Sequence, residues 1–274
     1  MTAEDDARGA AEGFRREHHL GTQPLGDLVA LIEQTTGIDV AVLDVGPDEH
    51  GLTMRDPARG AVFIAVARTE HPMRQRSTLA HELAHVLFED WTDEQPTDSV
   101  PRPYKEIRAD AFARHLLVPG AGVREVVGDA PATPLVLSKL VQWFQVSPAV
   151  AAIAMYQAGL LDSGTKELWM TISTPKLAAR FGWTDQYKAL QQQSDRRRAP
   201  QKLLARAIEG YVENVVSAQA LATLRGIEAA AVIRELTDQG IEQQASTVVW
   251  EDVGDLPDVE FGDADGDVDE GPAG

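Results

Sequence analysis

The sequence predicts an α+β fold in which a small antiparallel sheet packs with helices, and a mainly helical C-terminal region follows. Hydrophobic residues make up 43% of the 274 residues and charged residues 25%, which is typical of a chain that buries a core. Three short apolar segments separated by turn residues lie between residues 39 and 67. From Ser77 onward the apolar residues instead recur every three or four positions, as in amphipathic helices.

The segment before residue 70 contains the predicted sheet. Residues 1–24 are polar and predict a flexible lead with one short helix. A helical stripe follows over residues 25–36 and ends at Gly37. Three segments have strand patterns: residues 39–45, 51–55 and 61–67. Their close spacing predicts an antiparallel meander, and we expect the nearly continuous apolar third strand to lie at the sheet edge, where it would hold a substrate backbone.

Helices dominate the rest of the chain. A helix begins at Ser77, and a polar loop over residues 89–103 separates it from a second helix over residues 106–117. Further helical segments are expected over residues 135–144, 148–158, 175–181, 200–216, 217–225 and 227–239. These patterns predict one domain over residues 25–162 and a helical C-terminal region over residues 163–248.

Negative charge is concentrated at the C-terminal end. The net charge is −18, and residues 251–274 carry ten acidic and no basic side chains. This segment has few large apolar residues to bury, which predicts a disordered acidic tail over residues 249–274. Four alternating aspartates resemble the start of a calcium loop: Asp263, Asp265, Asp267 and Asp269. Val268 occupies the position where such a loop requires glycine, so a solvated tail is favoured.

Composition excludes several classes of protein. The chain has no cysteine, which excludes disulfide scaffolds and thiolate metal sites. It has no run of eighteen apolar residues, so no membrane-spanning helix is expected. Its first residues are polar and lack the apolar stretch of a secretory signal. We therefore expect a cytoplasmic protein without membrane association.

One segment carries a catalytic motif. Residues 77–88 read STLAHELAHVLF and contain the pattern His-Glu-x-x-His at His81, Glu82 and His85. Residues four apart on an α-helix lie about 40° apart in azimuth, so both imidazoles can bind one ion. Zn²⁺ suits such ligands and lowers the pKa of its water to about 7, and Glu82 can then accept a proton from that water. Two idle buried histidines would need other partners to offset their desolvation.

A catalytic zinc site needs a third protein ligand. The extended motif with a third histidine fails, because Phe88 and Trp91 occupy the positions of its glycine and histidine. Glu106, at the start of the next helix, is the expected ligand, and Asp110 one turn later is expected to accept the free N–H of a ligating histidine. The other interpretation of Glu106 is a solvated acidic helix N-terminus. Five carboxylates at the start of the polar loop are alternative ligands: Glu89, Asp90, Asp93, Glu94 and Asp98.

The order of a strand, HELAHVLF, a loop and EIRADAFARHLLVP resembles the ImmA/IrrE metallopeptidase family. The second signature of that family corresponds here to Glu106, Ala109, Phe112, Ala113, Leu116, Leu117 and Pro119. The resemblance covers about residues 25–160, and it departs at Arg108, where many members carry a second glutamate. It implies a zincin-like peptidase domain and a cytosolic zinc peptidase that cleaves a helix-turn-helix repressor in phage, mobile-element or stress control.

A further hydrogen-bond donor is expected to stabilise the oxyanion that develops during cleavage. Tyr104 is the candidate oxyanion stabiliser, with Arg108 and His115 as alternatives. His115 lies nine residues after Glu106, about 180° round the helix, and should face away from the metal. The other interpretation of Tyr104 is a loop tyrosine that packs on the helix.

The C-terminal helices leave two interpretations open. The basic run at residues 196–198 and two short helices around Gly226 resemble a helix-turn-helix outline, which would contact DNA or a substrate repressor. Because the chain is acidic and its candidate recognition helix holds one Arg, a helical bundle with a solvated basic face is favoured over direct DNA binding. The predicted function is zinc-dependent proteolysis of a repressor. One alternative is a non-proteolytic binding module, against which Glu82 argues because a pure binder has no use for it. A second alternative is a toxin-like partner of an antitoxin repressor.

Overall fold

The computed structural model of the chain describes residues 2–46, 51–91 and 103–245. The acidic tail predicted over residues 249–274, with its calcium-loop alternative, lies outside the described residues. Three of the alternative metal ligands lie outside them as well: Asp93, Glu94 and Asp98. Within the described residues the fold is α+β, with thirteen helices and one three-stranded sheet.

The sheet consists of β1 (Asp39–Leu43), β2 (Gly51–Arg55) and β3 (Val62–Ala67), in the order β1-β3-β2. β2 pairs antiparallel with β3, whereas β1 pairs parallel with β3. The sheet is therefore mixed, and the prediction of an antiparallel meander is wrong. Strands that are close in sequence are usually neighbours, but a minority are not, and here β1 and β2 lie on opposite sides of β3.

β3 is the central strand, so the prediction that it forms the sheet edge is wrong. Its buried residues Ile64 and Val66 belong to the main core, and a nearly continuous apolar run is typical of a strand covered on both faces. The outer edge of β1 is also engaged, because Val42 and Arg198 exchange two backbone hydrogen bonds of 2.9 and 3.0 Å. Among the described residues, no strand pairs with the outer edge of β2.

Within residues 1–24, where the sequence predicts a flexible lead with one short helix, the structure has a helix of 15 residues. Helix α1 (Ala3–Glu17) starts with a capping box between Thr2 and Asp5. Ala7 and Ala11 are fully buried, and the helix packs along α4 (Tyr104–Leu117). A stripe of alanines carries too little hydrophobicity for periodicity alone to show the buried face.

Helices α2 (Leu28–Thr36) and α3 (Pro72–Leu87) pack against the sheet. α2 starts at Asp27, whose side chain caps it, and ends at Gly37 in the left-handed conformation. α3 packs against β2, β3 and α4. It begins five residues before the predicted start at Ser77, because a proline in the first turn needs no N–H partner.

The remaining helices divide between two buried apolar clusters. They are α5 (Gly120–Val127), α6 (Pro134–Phe144), α7 (Pro148–Gln157), α8 (Ser163–Met170), α9 (Thr174–Phe181), α10 (Thr184–Ser194), α11 (Gln201–Val212), α12 (Ala218–Arg225) and α13 (Ala229–Asp238). Helices α5 to α10 contribute to the main core beneath the sheet, and α11 to α13 form a smaller core of their own. The domain boundary predicted between residues 162 and 163 stays a prediction, whereas the apolar clusters divide between α10 and α11.

Helices α6 and α7 are the most apolar pair. No single helix among the described residues combines the length and apolarity needed to cross a membrane. Within the described part of the chain, one helix pair meets those criteria together, α6 and α7, and it is bent by 108° at the junction. Both helices place buried residues in the main core, including Leu140, Phe144 and Met155.

Candidate metal centre

Helices α3 and α4 bring three potential metal ligands together. His81 and His85 lie one turn apart on α3, beside its buried face, and Glu106 lies in the first turn of α4. The two histidine Nε2 atoms are 3.0 Å apart. Glu106 Oε2 lies 3.3 Å from His81 Nε2, and its Oε1 lies 3.5 Å from His85 Nε2. One ligand atom from each residue therefore lies within 4.8 Å of the others.

The outward nitrogens of both histidines contact carboxylates. His81 Nδ1 lies 2.8 Å from Asp110 Oδ1, and His85 Nδ1 lies 3.2 Å from Asp90 Oδ2. A carboxylate accepts a hydrogen bond, so each Nδ1 carries the proton and each Nε2 presents its lone pair to the cluster. The structure thus places Asp110 where the sequence predicts a partner for a ligating histidine, and it adds Asp90 as the equivalent partner of His85.

The donor set fits a zinc ion. Two lone pairs that face each other at 3.0 Å repel unless a cation lies between them. Ligands at zinc distances of about 2.0–2.1 Å in a tetrahedron are separated by about 3.3 Å. The observed separations of 3.0, 3.3 and 3.5 Å match that spacing. Two imidazoles and one carboxylate are also the ligand set of a well-known class of catalytic zinc sites.

Electrostatics at the cluster favour a positive charge. Burial would lower the pKa of His81, but the hydrogen bond and charge of Asp110 raise it above its usual value, with smaller contributions from Glu82 and Glu106. The same arrangement of negative groups that favours a protonated imidazole also favours a bound cation.

Glu82 contacts the edge strand β2 rather than the ligands. Thr53 Oγ1 donates a hydrogen bond of 2.6 Å to Glu82 Oε2. β2 approaches so closely that a Cβ atom on Gly51 would lie 2.6 Å from Glu82 Oε1 and 2.5 Å from Thr78 Cγ2. Thr53 therefore fixes the carboxylate, and the strand needs glycine at position 51 to lie this close to α3. No local sequence pattern points to Thr53, because it lies 29 residues before Glu82 in the chain.

Asp90 takes a different role from the one considered for it in the sequence. The sequence suggests Asp90 as an alternative metal ligand. In the structure its Oδ2 faces Nδ1 of His85, and its Oδ1 accepts a 2.7 Å hydrogen bond from Arg108 Nη2. The guanidinium carbon of Arg108 also lies 3.8 Å from the centroid of the Phe88 ring. Arg108 thus connects α4 to the end of α3 beside the cluster.

The structure does not bring Tyr104 to the cluster. Its hydroxyl donates to Asp6 on α1 at 2.5 Å, and its side chain is exposed. His115 also faces α1, where its Nε2 lies 2.6 Å from Glu4 Oε1. Tyr104 as an oxyanion stabiliser would therefore need to release Asp6, and in this arrangement it packs α1 against α4.

Comparison with known proteins agrees with this geometry. Residues 33–156 match the family model of the M78 peptidases, described as the IrrE N-terminal-like domain. The matched segment runs from the end of α2 into α7 and contains the three potential ligands and Glu82. A search of curated proteins finds no match to the chain.

Proposed function

We propose that the chain is a zinc-dependent endopeptidase, because residues 33–156 match the model of the M78 peptidase family, the IrrE N-terminal-like domain. The convergence of His81, His85 and Glu106 is the observation that carries the proposal. A bound zinc ion would supply a Lewis acid that lowers the pKa of water and polarises the scissile carbonyl.

The residues of the chain have separate tasks in this proposal. His81, His85 and Glu106 hold the ion, and Asp110 and Asp90 fix the two imidazoles with Nε2 turned inward. Glu82 is the general base that takes the proton of the attacking water and delivers it to the leaving amine. Thr53 holds one carboxylate oxygen of Glu82, so that the other oxygen keeps a defined direction.

The outer edge of β2, with which no strand pairs among residues 2–46, 51–91 and 103–245, is the proposed binding edge for an extended substrate. β3 is paired on both sides, and β1 is paired with β3 and bridged by Arg198. β2 carries Thr53 next to Glu82, so a peptide added to its outer edge would lie beside the metal cluster. Leu52 and Met54 are about half exposed on this strand and can pack against substrate side chains.

We propose a helix-turn-helix transcriptional repressor as the physiological substrate, in phage, mobile-element or stress control. This step rests on the resemblance of the site segments to the ImmA/IrrE family. Main-chain pairing along β2 selects little by sequence, so the C-terminal helices are the proposed site of substrate selection. The proposed location is the cytoplasm, where such a repressor acts, and the absence of cysteine is compatible with it.

The test compares the wild-type chain with Glu82→Gln in cells, by mass spectrometry of newly formed protein N-termini. Losing general-base help typically lowers the rate by 10²–10⁴-fold, so new N-termini should appear with the wild type alone. Their location within a helix-turn-helix repressor would support the substrate class, and their location in unrelated proteins would contradict it. Equal patterns for the two chains would contradict proteolysis and favour the alternative, a binding module that captures an intact repressor.

A further inference from the structure

We propose that Arg108 is a positioning residue that fixes the metal ligand His85 through Asp90. The inference rests on the proposed zinc site and adds a residue to it. Arg108 Nη2 donates to Asp90 Oδ1 at 2.7 Å, and Asp90 Oδ2 lies 3.2 Å from His85 Nδ1. One oxygen of the Asp90 carboxylate therefore contacts Arg108, and the other contacts His85. The guanidinium fixes the orientation of the carboxylate, and the carboxylate in turn fixes the imidazole.

The backbone after α3 is shaped to place Asp90 there. Glu89 adopts the left-handed conformation with φ of 54°, which costs free energy for a residue that carries a side chain. The chain turns back as a result, and the N–H of Asp90 donates to the carbonyl of His85 at 2.9 Å. Asp90 is thereby tied to His85 through both its backbone and its side chain.

Arg108 is itself held in one orientation. Its guanidinium carbon lies 3.8 Å from the ring centroid of Phe88 and 5.6 Å from that of Tyr104. Phe88 in turn packs edge-on against Phe112, with 6.1 Å between the centroids. Aromatic faces attract a guanidinium and restrict its rotation, so Arg108 presents its N–H groups to Asp90 in a fixed direction.

Burial distinguishes the partner of His85 from the partner of His81. The side chain of Asp90 is 11% exposed, whereas that of Asp110 is 43% exposed and can be stabilised by water. A carboxylate with so little exposure needs a compensating cation, and Arg108, itself 18% exposed, supplies it with little screening by solvent. Without that cation, Asp90 would turn toward water and His85 would lose the acceptor that fixes its ring.

The test measures zinc affinity by competition with a chelator, using the full chain. Arg108→Gln removes the charge, and loss of such supporting contacts typically weakens metal binding by 10–100-fold. Arg108→Lys keeps the charge but loses the planar fork, so we expect an intermediate affinity. Arg114→Gln is the matched control, because Arg114 lies on the same helix and pairs with Glu4 on α1 at 2.5 Å. That control should bind zinc as the wild type does.

A second readout separates positioning from a purely structural contact between α3 and α4. In zinc-loaded chains, proton–nitrogen correlation spectra should show a slowly exchanging Nδ1–H on both ligand histidines of the wild type. Arg108→Gln should lose the signal of His85 and keep that of His81. Asp90→Asn combined with Arg108→Gln should bind zinc no more weakly than Asp90→Asn alone, since both changes interrupt one path.

Two results would overturn the inference, and they differ in what else they affect. Zinc binding by Arg108→Gln within twofold of the wild type, with the His85 signal intact, overturns the role of Arg108 alone. A wild-type chain that takes up no zinc overturns the proposed function and this inference together.

Discussion

At the scale of single residues, the proposed metal centre depends on the inward-facing nitrogens of His81 and His85. Removing one of three ligands with His81→Ala should reduce the zinc content from about one ion per chain to almost none, as measured by elemental analysis. The control is His19→Asn, because His19 is exposed and adopts a left-handed backbone that asparagine tolerates. Full zinc content in His81→Ala would contradict the proposed site.

Thr53 allows the position of Glu82, the proposed general base, to be tested separately from its chemistry. Thr53→Val removes the hydroxyl that donates to Glu82, and hydrogen bonds to charged groups contribute about 1.5–3 kcal/mol. We expect kcat for peptide cleavage to fall by about tenfold or more while zinc stays bound. Thr53→Ser restores the hydroxyl and should recover most of the activity. An equal loss in both variants would show that the hydroxyl is not the cause.

Sequence spacing predicts the part of the site that lies within one helix turn. The four-residue interval in His-Glu-x-x-His places two imidazoles on one side of a helix, and a helical start at Glu106 suggests a third ligand. Asp90 and Arg108 could not be assigned in this way. Their contact depends on the left-handed turn at Glu89, and no residue pattern distinguishes that turn from an ordinary polar loop.

At the scale of elements, the close contact between β2 and α3 at Gly51 holds the sheet beside the proposed site. Gly51→Ala would place a Cβ atom within 2.6 Å of side-chain atoms of Thr78 and Glu82, and such overpacking typically costs 1–3 kcal/mol. We expect a lower midpoint in urea unfolding and reduced peptide cleavage. Gly9→Ala is the control, because Gly9 lies exposed within α1 with open space around it. That change should stabilise the chain by roughly 0.5–1 kcal/mol.

The attachment of α1 to α4 should depend on pH. Burial would raise the pKa of Glu4, but hydrogen bonds and charges of Arg114 and His115 lower it below its usual 4.5. Burial lowers the pKa of His115 below its usual 6.5, although Glu4 acts in the opposite direction. Both folded-state pKa values lie below the unfolded ones. The stability that these groups contribute is therefore complete above pH 6.5 and is lost as the pH falls, the Glu4 part below about 4.5.

The measurement is thermal unfolding of the zinc-free wild type and Glu4→Gln between pH 7.5 and 3.5. The wild type should be more stable at neutral pH, and the difference should shrink below about pH 4.5 as Glu4 becomes protonated. A difference that stays constant over this range would show that the charge of Glu4 does not hold α1.

Periodicity predicts the strands better than their pairing. The segments at residues 39–45, 51–55 and 61–67 contain the observed strands, because turn residues separate them. The register and order of the sheet depend on long-range contacts that alternation of apolar residues does not encode. Helices α5, α8 and α10 are also not predicted from the sequence, because none of them has a continuous apolar stripe.

At the scale of the whole molecule, the two apolar clusters determine where the chain can be shortened without removing part of the main core. Ending the chain after residue 199 removes α11 to α13 with their own small core and keeps the bridge between Val42 and Arg198. We expect this chain to bind zinc as the full chain does and to cleave a generic peptide, but to process the repressor more slowly. Removing only residues 251–274 should change neither property.

A chain that ends after residue 161 is the comparison for the 199-residue chain, because it also lacks α8 to α10. This truncation removes Trp169, Leu177 and Trp183 from the main core, and losing buried aromatic and leucine side chains costs several kcal/mol each. Circular dichroism should show a destabilised chain. Repressor cleavage by the 199-residue chain at the rate of the full chain would show that the last three helices are scaffold only.

The sequence predicts only in part which helices belong to the main core. The segment that matches the peptidase family carries recognisable motifs, whereas no motif in α8 to α10 assigns these helices to the main core. Their membership of the main core depends on contacts such as the hydrogen bond between Trp183 Nε1 and Ser138 Oγ, which joins residues 45 positions apart. A domain boundary that is predicted from motifs alone therefore falls before α8, although α8 to α10 belong to the main core.

The bridge between Val42 and Arg198 also sets an order of events on the ribosome. β1 is synthesised about 150 residues before the segment that covers its outer edge. At translation rates of about 5–20 residues per second, that edge stays open for roughly 8–30 seconds. An open strand edge attracts other strands, so nascent chains stalled before residue 198 should be enriched on chaperones, and chains stalled well beyond it should not. Ribosome profiling of chaperone-bound nascent chains would measure that difference.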